Sequence, residues 1–179
     1  GHEDDNAAIL FTSGSEKDPK VVQLTHKNLA SNIRDFCDYE KIVEDDVILA
    51  NLVFFHIFGL TVNLWVSFLK GLTMIAYSNP TDFQTISNIA REERPTIMVG
   101  TPSFFWGYLK KSEPGDFSSV RIMVAGADKC PDALREGYLK KHNCVLMEGY
   151  GATETSPVVS VNSLEFNRPG SIGKVIPNV

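Results

Sequence analysis

Short apolar segments alternate with longer amphipathic stretches along most of this chain. The short segments have the composition of buried strands, and the longer ones carry apolar residues at helical spacing. Strands that alternate with helices in this way predict an α/β fold, in which flanking helices cover a mostly parallel sheet. The predicted strands cover residues 47–53, 72–76, 96–99, 120–125 and 144–147, and the predicted helices cover residues 58–69, 82–93, 102–111 and 131–141.

The two ends of the chain are less regular than its middle. Residues 7–11 predict a buried strand, and Thr25 is a suitable N-cap for a helix that ends near Cys37. Parallel α/β sheets bind ligands at the loops beyond the carboxyl ends of strands, so we expect a site after residues 7–11 and after residues 144–147. Further extended segments are predicted at residues 158–161 and 170–173.

The composition limits the classes of function. The 179 residues are 43% hydrophobic and 22% charged, which suits one globular domain with a core. The formal net charge of −5 and the lack of a basic patch argue against a nucleic-acid partner. Cys37, Cys130 and Cys144 have neither zinc-ligand nor disulfide spacing, so we expect a reducing cytoplasm. We expect no membrane span and no signal peptide, because no apolar run is long enough and the first residues are polar.

The loop after residues 144–147 has a composition typical of a nucleotide site. It runs EGYGATE over residues 148–154. Glycines allow a backbone to approach a ligand closely, and Tyr150 offers a face on which a base can stack. Thr153 offers a hydroxyl to a phosphate, and Glu154 offers hard oxygen to Mg²⁺. Taken alone, the run is equally consistent with a tight turn after a strand.

A second candidate loop follows residues 7–11. It runs LFTSGSEKDPK over residues 10–20, with Gly14 inside and Lys20 at its end. Hydroxyls and backbone N–H groups donate to phosphate oxygens and a lysine neutralises their charge, so the loop suits a polyphosphate. It is not a Walker loop, because Val21 follows Lys20 where that motif needs serine or threonine.

Together the two loops resemble the phosphate and adenine motifs of the acyl-adenylate-forming superfamily, which includes acyl-CoA synthetases, luciferases and adenylation domains. The resemblance covers nearly the whole chain. It implies that residues 1–179 are a central fragment of the large N-terminal domain of such an enzyme, with the C-terminal lid outside them. Within the superfamily, the chain is most similar to the acyl-acyl-carrier-protein synthetase part of the 2-acylglycerophosphoethanolamine acyltransferase/synthetase family, over residues 11–16, 55–62, 124–129 and 148–162.

The resemblance implies ATP-dependent activation of a fatty acid to an acyl-AMP, with Mg²⁺ as cofactor. The acyl group would then pass to the thiol of an acyl-carrier protein or of CoA. Thr153, Glu154 and Lys20 would be catalytic, with Glu154 as the metal ligand. The implied nucleotide-binding residues are Thr12, Ser13, Gly14, Ser15, Lys20, Gly126, Ala127, Gly149, Tyr150, Gly151 and Thr153.

The resemblance also implies a pocket for the acid. A lone histidine among apolar residues is more often a hydrogen-bonded core residue, and Trp65 and Trp106 most simply fill the core. Amino-acid-activating domains tend to place an aspartate near the position of His56, and its absence here favours a fatty or aryl acid. Elsewhere, the pair Asp45 and Asp46 indicates a solvated turn. The residues implied for the acid pocket are His56, Phe58, Gly59 and Trp106.

Two positions depart from the family's phosphate loop, which usually has glycine where this chain has Lys17 and Val21. A side chain at a position that needs positive φ would add strain of ~1 kcal/mol or more, whereas Lys17 would also add useful charge. A noncatalytic nucleotide- or acyl-binding module with a degenerate loop is therefore the alternative function. The family's ribose-binding aspartate, hinge and lid lysine do not appear, so we expect this fragment to be inactive alone. Other parts of a parent chain leave membrane association open.

Overall fold

The computed structural model describes residues 1–12 and 20–179 of the chain. Ser13, Gly14, Ser15 and Lys17, which belong to the predicted phosphate loop, lie outside the described residues. Within those ranges the elements follow in the order β1 (Asn6–Thr12), β2 (Lys20–Thr25), α1 (His26–Tyr39), β3 (Val47–Ala50), a π-helical segment (Gly59–Trp65), α2 (Val66–Lys70), β4 (Thr73–Ala76), α3 (Phe83–Glu93), β5 (Ile97–Gly100), α4 (Pro102–Lys111), β6 (Ile122–Ala125), α5 (Asp132–His142), β7 (Leu146–Gly151), a 3₁₀ turn (Thr153–Thr155), β8 (Val158–Val161) and β9 (Lys174–Val175).

The centre of the described structure is a seven-stranded sheet in the order β4-β3-β5-β6-β7-β8-β9. The five strands from β4 to β7 in that order run parallel, and β8 and β9 extend the sheet in antiparallel pairing. This topology confirms the predicted α/β fold with a mostly parallel sheet. The strand predicted over residues 47–53 is shorter than expected, because the chain leaves the sheet after Ala50.

Alternate residues of the central strands divide the core between the two faces of the sheet. In β5, Ile97 and Val99 pack with Ile33 of α1, whereas Met98 packs with Phe105 of α4. The same division holds for β6, and both strands are buried along their whole length. Helices α1 and α2 therefore cover one face, and α3, α4 and α5 cover the other.

Local start and stop signals explain where the helices begin and end. Thr25 caps α1 as predicted: its hydroxyl accepts a hydrogen bond from the Asn28 N–H at 3.1 Å, and the Asn28 side chain accepts one from the Thr25 N–H at 3.0 Å. The helix predicted over residues 58–69 is π-helical at first and continues as α2, which ends at Gly71 with φ of 67°. No helix in the described ranges has the length and apolar character needed to cross a membrane.

The prediction that residues 7–11 form a buried strand is wrong in one respect. The strand forms, but β1 pairs only with β2, in a separate antiparallel hairpin. Ile9 and Phe11 are 55% and 73% exposed, because only one face of the hairpin packs on the core. An apolar run alone does not distinguish such a strand from a central one.

Two further expectations about single residues are also wrong. Asp46 is buried rather than solvated, and it forms an ion pair with Arg121 while Thr96 donates a hydrogen bond to it at 2.7 Å. Burial alone would raise the pKa of Asp46, but the hydrogen bonds from Arg121, Thr96 and the Val43 N–H hold it below its ordinary value. Trp65 does not fill the core, because it lies on the exposed side of its helix.

His142 is buried in an aromatic cluster on the face covered by α3, α4 and α5. Its ring centroid lies 5.1 Å from that of Phe117 and 5.6 Å from that of Tyr138. Nδ1 accepts a hydrogen bond from the Phe117 N–H at 3.5 Å, so the neutral ring donates through Nε2 to the Ser112 hydroxyl at 3.0 Å. Burial lowers the pKa of His142 to about 4, and Lys141 acts in the same direction.

We expect His142 to make the fold less stable as the pH falls from 7 to 5. The ring stays neutral in the folded state down to about pH 4, whereas a histidine of the unfolded chain takes up a proton below its ordinary pKa of 6.5. The unfolded state then binds more protons, and the loss in the free energy of unfolding is about 2 kcal/mol at pH 5. Denaturant titration of the wild type and of His142→Gln at both pH values measures this loss.

The difference between the two proteins isolates His142 from Glu40, which acts in the opposite direction. Burial raises the pKa of Glu40 to about 8, so the stability that this residue contributes is lost as the pH rises through that value. Both proteins retain Glu40, and its effect cancels in the comparison. An equal pH response in wild type and variant would contradict the assignment to His142.

Candidate nucleotide and acid site

A cleft of about 540 Å³ opens beside the carboxyl ends of β5, β6 and β7. Parallel α/β sheets bind ligands at this edge, because successive loops leave the strands there. This one cavity is lined both by residues predicted to bind the adenine nucleotide and by residues predicted to bind the acid. Those that line it are His56, Phe58, Gly126, Ala127, Gly149, Tyr150, Gly151 and Thr153.

The loop after β6 forms one wall of the cleft and packs closely on an aromatic ring. The Gly126 N–H donates to the Gly100 carbonyl at 2.9 Å, which fixes the start of the loop. A Cβ at Gly126 would lie 3.2 Å from the ring of Phe58, so a side chain there would press on the opposite wall. Ala127 has φ of 68°, a left-handed conformation that few residues other than glycine adopt.

Tyr150 belongs to β7 and is 51% exposed, with its ring at the cleft. The strand pairs with β8, and Gly149 lies opposite Val161 in that pairing. A Cβ at Gly151 would lie only 2.3 Å from the Pro157 carbonyl oxygen, so the close strand pairing itself requires this glycine. Tyr150 is therefore a large planar side chain held on a rigid strand with one part open to solvent.

The 3₁₀ turn between β7 and β8 places Thr153 and Glu154 differently. Thr153 lines the main cleft, whereas the exposed Glu154 lines a smaller cleft of about 200 Å³ on another side of the turn. The Thr155 hydroxyl fixes the turn, because it accepts from the Ala152 N–H at 3.1 Å and donates to the Pro157 carbonyl at 2.6 Å.

Glu154 is the residue that the sequence predicts as a Mg²⁺ ligand. The described residues contain no group of three or more histidine, cysteine, aspartate or glutamate side chains that could hold a metal ion. A solvent-exposed carboxylate nevertheless fits Mg²⁺, which keeps several waters and binds through one or two carboxylates together with substrate phosphates. Glu154 is thus compatible with a metal bound jointly by protein and nucleotide.

His56 is exposed at the cleft and is not a core residue. Its Nδ1 accepts a hydrogen bond from the Phe58 N–H at 3.2 Å, so the neutral ring carries its proton on Nε2. This contact orients the ring locally and leaves Nε2 without a described protein partner. His56 and Phe58, which are both predicted for the acid pocket, thus line the same cleft.

Two residues predicted for the acid pocket do not line the cleft. Gly59 is buried, and a Cβ there would lie 2.2 Å from the Val53 carbonyl oxygen, so the glycine allows two backbone segments to cross. Trp106 packs with the cluster under α3, α4 and α5, on the face of the sheet away from α1. Four other apolar residues near His56 in sequence also lie outside the lining of the cleft: Phe54, Phe55, Leu60 and Trp65.

Thr12 and Lys20 stand at the two ends of the predicted phosphate loop. They face each other as the last pair of the β1–β2 hairpin. Cα atoms of β2 come within 8 Å of those of the 3₁₀ turn, which carries Thr153 and Glu154. β2 therefore lies beside the turn that carries the second motif, although neither Thr12 nor Lys20 lines the main cleft.

Sequence reasoning missed Asn32, which fixes one wall of the cleft. Its buried side-chain amide donates to the Val158 carbonyl at 2.7 Å and accepts from the Val158 N–H at 3.1 Å. These two bonds hold the start of β8 against α1. The sequence does contain a signal that Asn32 has a structural role, because it is a polar residue on the apolar stripe formed by Leu29, Ile33 and Phe36.

A cleft of this size at the strand ends of a mostly parallel sheet is typical of α/β domains that bind small ligands. The chain belongs to the AMP-binding enzyme family, whose model matches residues 1–179. This finding confirms the superfamily that the two loops predicted.

Relatives of known name match nearly the whole chain. The long-chain-fatty-acid–CoA ligase of Bacillus subtilis (strain 168) is 32% identical over 176 residues, which are 96% of this chain and 31% of that protein. The 4-coumarate–CoA ligase 3 of Oryza sativa subsp. japonica is 30% identical over 189 residues, covering 99% of this chain and 34% of that protein.

Solved structures show the same fold. Apo MatB from Rhodopseudomonas palustris superposes with a TM-score of 0.88 at 29% identity, over 99% of this chain and 35% of that one. The O-succinylbenzoate Coenzyme A synthetase (MenE) of Bacillus subtilis, in complex with ATP and magnesium ion, gives a TM-score of 0.87 at 26% identity, over 98% and 37%. The chain thus spans about a third of the length of these relatives.

We expect Asn32→Ala to lower the free energy of unfolding by about 2–3 kcal/mol, because it leaves the N–H and the carbonyl of Val158 unpaired. Asn88→Ala is the matched control, since the bonds that the described structure gives the Asn88 side chain are to Gln84 and Arg91 on the same helix, α3. The control should change stability by less than about 0.5 kcal/mol. Equal losses in denaturant titration of the two variants would show that Asn32 does not fix β8.

Proposed function

We propose that this chain is the nucleotide-site segment of an ATP-dependent ligase that joins a carboxylic acid to a thiol. One observation carries the proposal: a half-exposed tyrosine, the backbone of the loop after β6 and an apolar wall all line the same cleft. An enzyme that forms an acyl-AMP must hold a nucleotide and an acid in contact, and a shared cavity supplies that proximity. The names of the relatives, which are acid–CoA ligases, support the same reaction class.

In this proposal the ring of Tyr150 stacks on the adenine base. The backbone of Gly126 and Ala127 runs along the edge of the base, where the absence of a side chain at Gly126 keeps the space open. The hydroxyl of Thr153 donates to the α-phosphate from the turn that follows. These groups bind and orient the nucleotide, and they leave its α-phosphorus facing the rest of the cleft.

The acid occupies the apolar part of the cleft. Phe58 lines this part, whereas Trp106, the other large aromatic residue predicted for the acid pocket, does not, so support for a fatty acid comes instead from a mostly aliphatic wall. Each methylene of an acyl chain buried against such a wall gains about 0.8 kcal/mol. The aliphatic residues of this wall are Val62, Val99, Val124, Val158 and Val161, and Phe36 adds one aromatic ring beside them.

The proposed chemistry needs little covalent participation by the protein. A carboxylate oxygen of the acid attacks the α-phosphorus of ATP, the bond from that phosphorus to its bridging oxygen breaks, and pyrophosphate leaves with the electron pair. The thiolate sulfur then attacks the acyl carbon, and AMP leaves. Mg²⁺ held by Glu154 would neutralise phosphate charge, while Thr153 and Lys20 donate to phosphate oxygens. Residues 13–15 would complete the phosphate loop.

The alternative, a noncatalytic binding module, depends on the two departures from the family's phosphate loop. Val21 lies in β2 opposite Phe11, and it is not among the described residues with positive φ. A valine there adds no left-handed strain, so this departure does not favour a degenerate loop. The alternative then rests on Lys17 alone.

We place the proposed reaction in the cytoplasm, since all three cysteines are free and buried.

In the full-length parent, we expect Glu154→Gln to lower the rate of ATP–pyrophosphate exchange by ~100-fold or more at limiting Mg²⁺, because the amide keeps the shape but loses the charge. Glu165→Gln is the control, since Glu165 is also exposed and its loss changes the net charge equally. The exchange rate is measured across a Mg²⁺ titration. Exchange that is equally fast in both variants would leave Glu154 without a role in metal binding.

We expect the 179-residue chain alone to form no acyl-AMP. The chain spans about a third of its relatives, and we propose that residues outside 1–179 supply the ribose contacts and the lid lysine. The purified chain, incubated with ATP, Mg²⁺ and fatty acids, is assayed for acyl-AMP beside the full-length parent. Product from the chain alone would refute the proposal that it is a partial site.

The acid and the thiol are tested together on the full-length parent. We expect kcat/KM to rise with fatty-acid length until the aliphatic wall is covered, and to be lower for an aromatic acid such as benzoate. CoA is supported by the names of the relatives, and an acyl-carrier protein by the resemblance of residues 55–62 and 148–162. The thiol with the higher kcat/KM is the acceptor. Faster turnover of the aromatic acid would exclude the fatty-acid assignment.

A further inference from the structure

Glu148 binds three separate segments around the proposed base site. It lies within β7, immediately before Gly149 and Tyr150, and its side chain is only 8% exposed. Its Oε1 accepts a hydrogen bond from the Cys130 N–H at 3.0 Å. Its Oε2 accepts one from Arg135 at 2.6 Å and one from the Gly170 N–H at 3.1 Å.

Arg135, on α5, closes these contacts into a ring. The Nη1 that donates to Glu148 also donates to the Cys130 carbonyl at 2.7 Å. Cys130 is therefore held at its N–H by Glu148 and at its carbonyl by Arg135. The Arg135 side chain is 12% exposed, and its other nitrogen pairs with the exposed Asp132. Hydrogen bonds between charged groups in such a setting are short and strong, so the ring is stiff.

The ring fixes the loop that forms one wall of the cleft. The loop leaves β6 at Gly126, which is bonded to Gly100, and reaches α5 after Cys130. Among the described residues, the Glu148 carboxylate makes the only hydrogen bond between residues 127–130 and β7. The left-handed backbone at Ala127 lies between these two anchors, and such a conformation persists only where the surroundings impose it.

The backbone of Glu148 serves the same arrangement. Its carbonyl accepts hydrogen bonds from the Asn162 N–H at 2.9 Å and from the Asn162 side chain at 3.1 Å. The Asn162 side chain also donates to the Ser171 carbonyl at 2.7 Å, close to Gly170. The loop over residues 168–173 is thus bound to β7 twice, once through Asn162 and once through the Glu148 carboxylate.

We propose that Glu148 and Arg135 are positioning residues that set the distance between Tyr150 and the backbone of Gly126 and Ala127. Neither side chain lines the cleft, so both act through the residues that do. The inference rests on the proposed function, in which a purine base occupies the space between these two walls. Loss of the ring would widen or loosen that space and weaken the binding of ATP, while the residues at the acid end would keep their places.

The test uses Glu148→Gln in the full-length parent, with Glu136→Gln as the matched control. Glu136 is the exposed neighbour of Arg135, and its substitution changes the net charge equally without touching the ring. We expect the KM for ATP to rise by ~10-fold in Glu148→Gln, with kcat and the KM for the acid changed by less than ~2-fold. An ATP KM equal to that of the control would overturn the inference.

A double variant separates positioning from a merely structural role. Glu148→Gln leaves the mostly buried Arg135 with only its exposed partner Asp132, whereas Glu148→Gln combined with Arg135→Gln removes both charges of the buried pair. We expect the double variant to regain thermal stability relative to Glu148→Gln but to keep the raised KM for ATP, because two amides cannot restore the three bonds. Recovery of both stability and ATP affinity would show that the ring only stabilises the fold.

Amide hydrogen exchange gives a readout that does not depend on activity. In Glu148→Gln the N–H groups of Cys130 and Gly170 should exchange at least ~10-fold faster, while that of Gly126, bonded to Gly100, should not change. Unchanged exchange at Cys130 and Gly170 would overturn the inference. Lack of ATP binding by the wild-type parent would overturn the proposed function itself. If the wild type binds ATP and the variant binds it equally well, only the present inference fails.

Discussion

Burial of β5 and β6 on both faces is the constraint on which the rest of the structure depends. All four residues of each strand are buried, and they pack alternately with helices on opposite sides of the sheet. The two strands pair in parallel, and parallel neighbours connect through crossover helices that cover the faces of the sheet. Their carboxyl ends therefore meet at one edge, and the loops that line the cleft start there.

That same constraint explains which parts of the fold the sequence predicts well. β5 and β6 are short apolar runs bounded by helices, a pattern that favours central parallel strands buried on both faces. The strand over residues 7–11 has a similar composition, but it lies in a two-stranded hairpin with Phe11 in solvent. Composition does not reveal how many neighbours a strand has. The prediction that Asp46 is solvated was wrong for a related reason, because its partner Arg121 is 75 positions away in sequence.

The candidate site shows the same division between local and distant information. Tyr150 could be placed from sequence because it follows a predicted strand, and Gly126 was placed through the family resemblance; both line the cleft. Trp106 could not be placed from sequence, because its position around the axis of α4 puts it on the face of the sheet opposite α1. Asn32 and Glu148 act on backbone groups that come close only after folding. Because the chain has a net charge of −5, its overall field does not attract an anionic ligand, and a few local hydrogen-bond donors must bind it instead.

The π-helical segment between β3 and α2 makes the orientation of one cleft wall depend on the exact number of residues in that segment. In this segment the Val66 N–H bonds to the Thr61 carbonyl, five residues back rather than four, so the turn holds one residue more than an α-helix needs. Deleting one residue there would let the segment wind as an α-helix while α2 kept its packing. Ile57 and Phe58 would then rotate by roughly 100° about the helix axis. A single-codon deletion would in this way present a different surface to the cleft, at the cost of moving Gly59 from its crossing with the Val53 backbone.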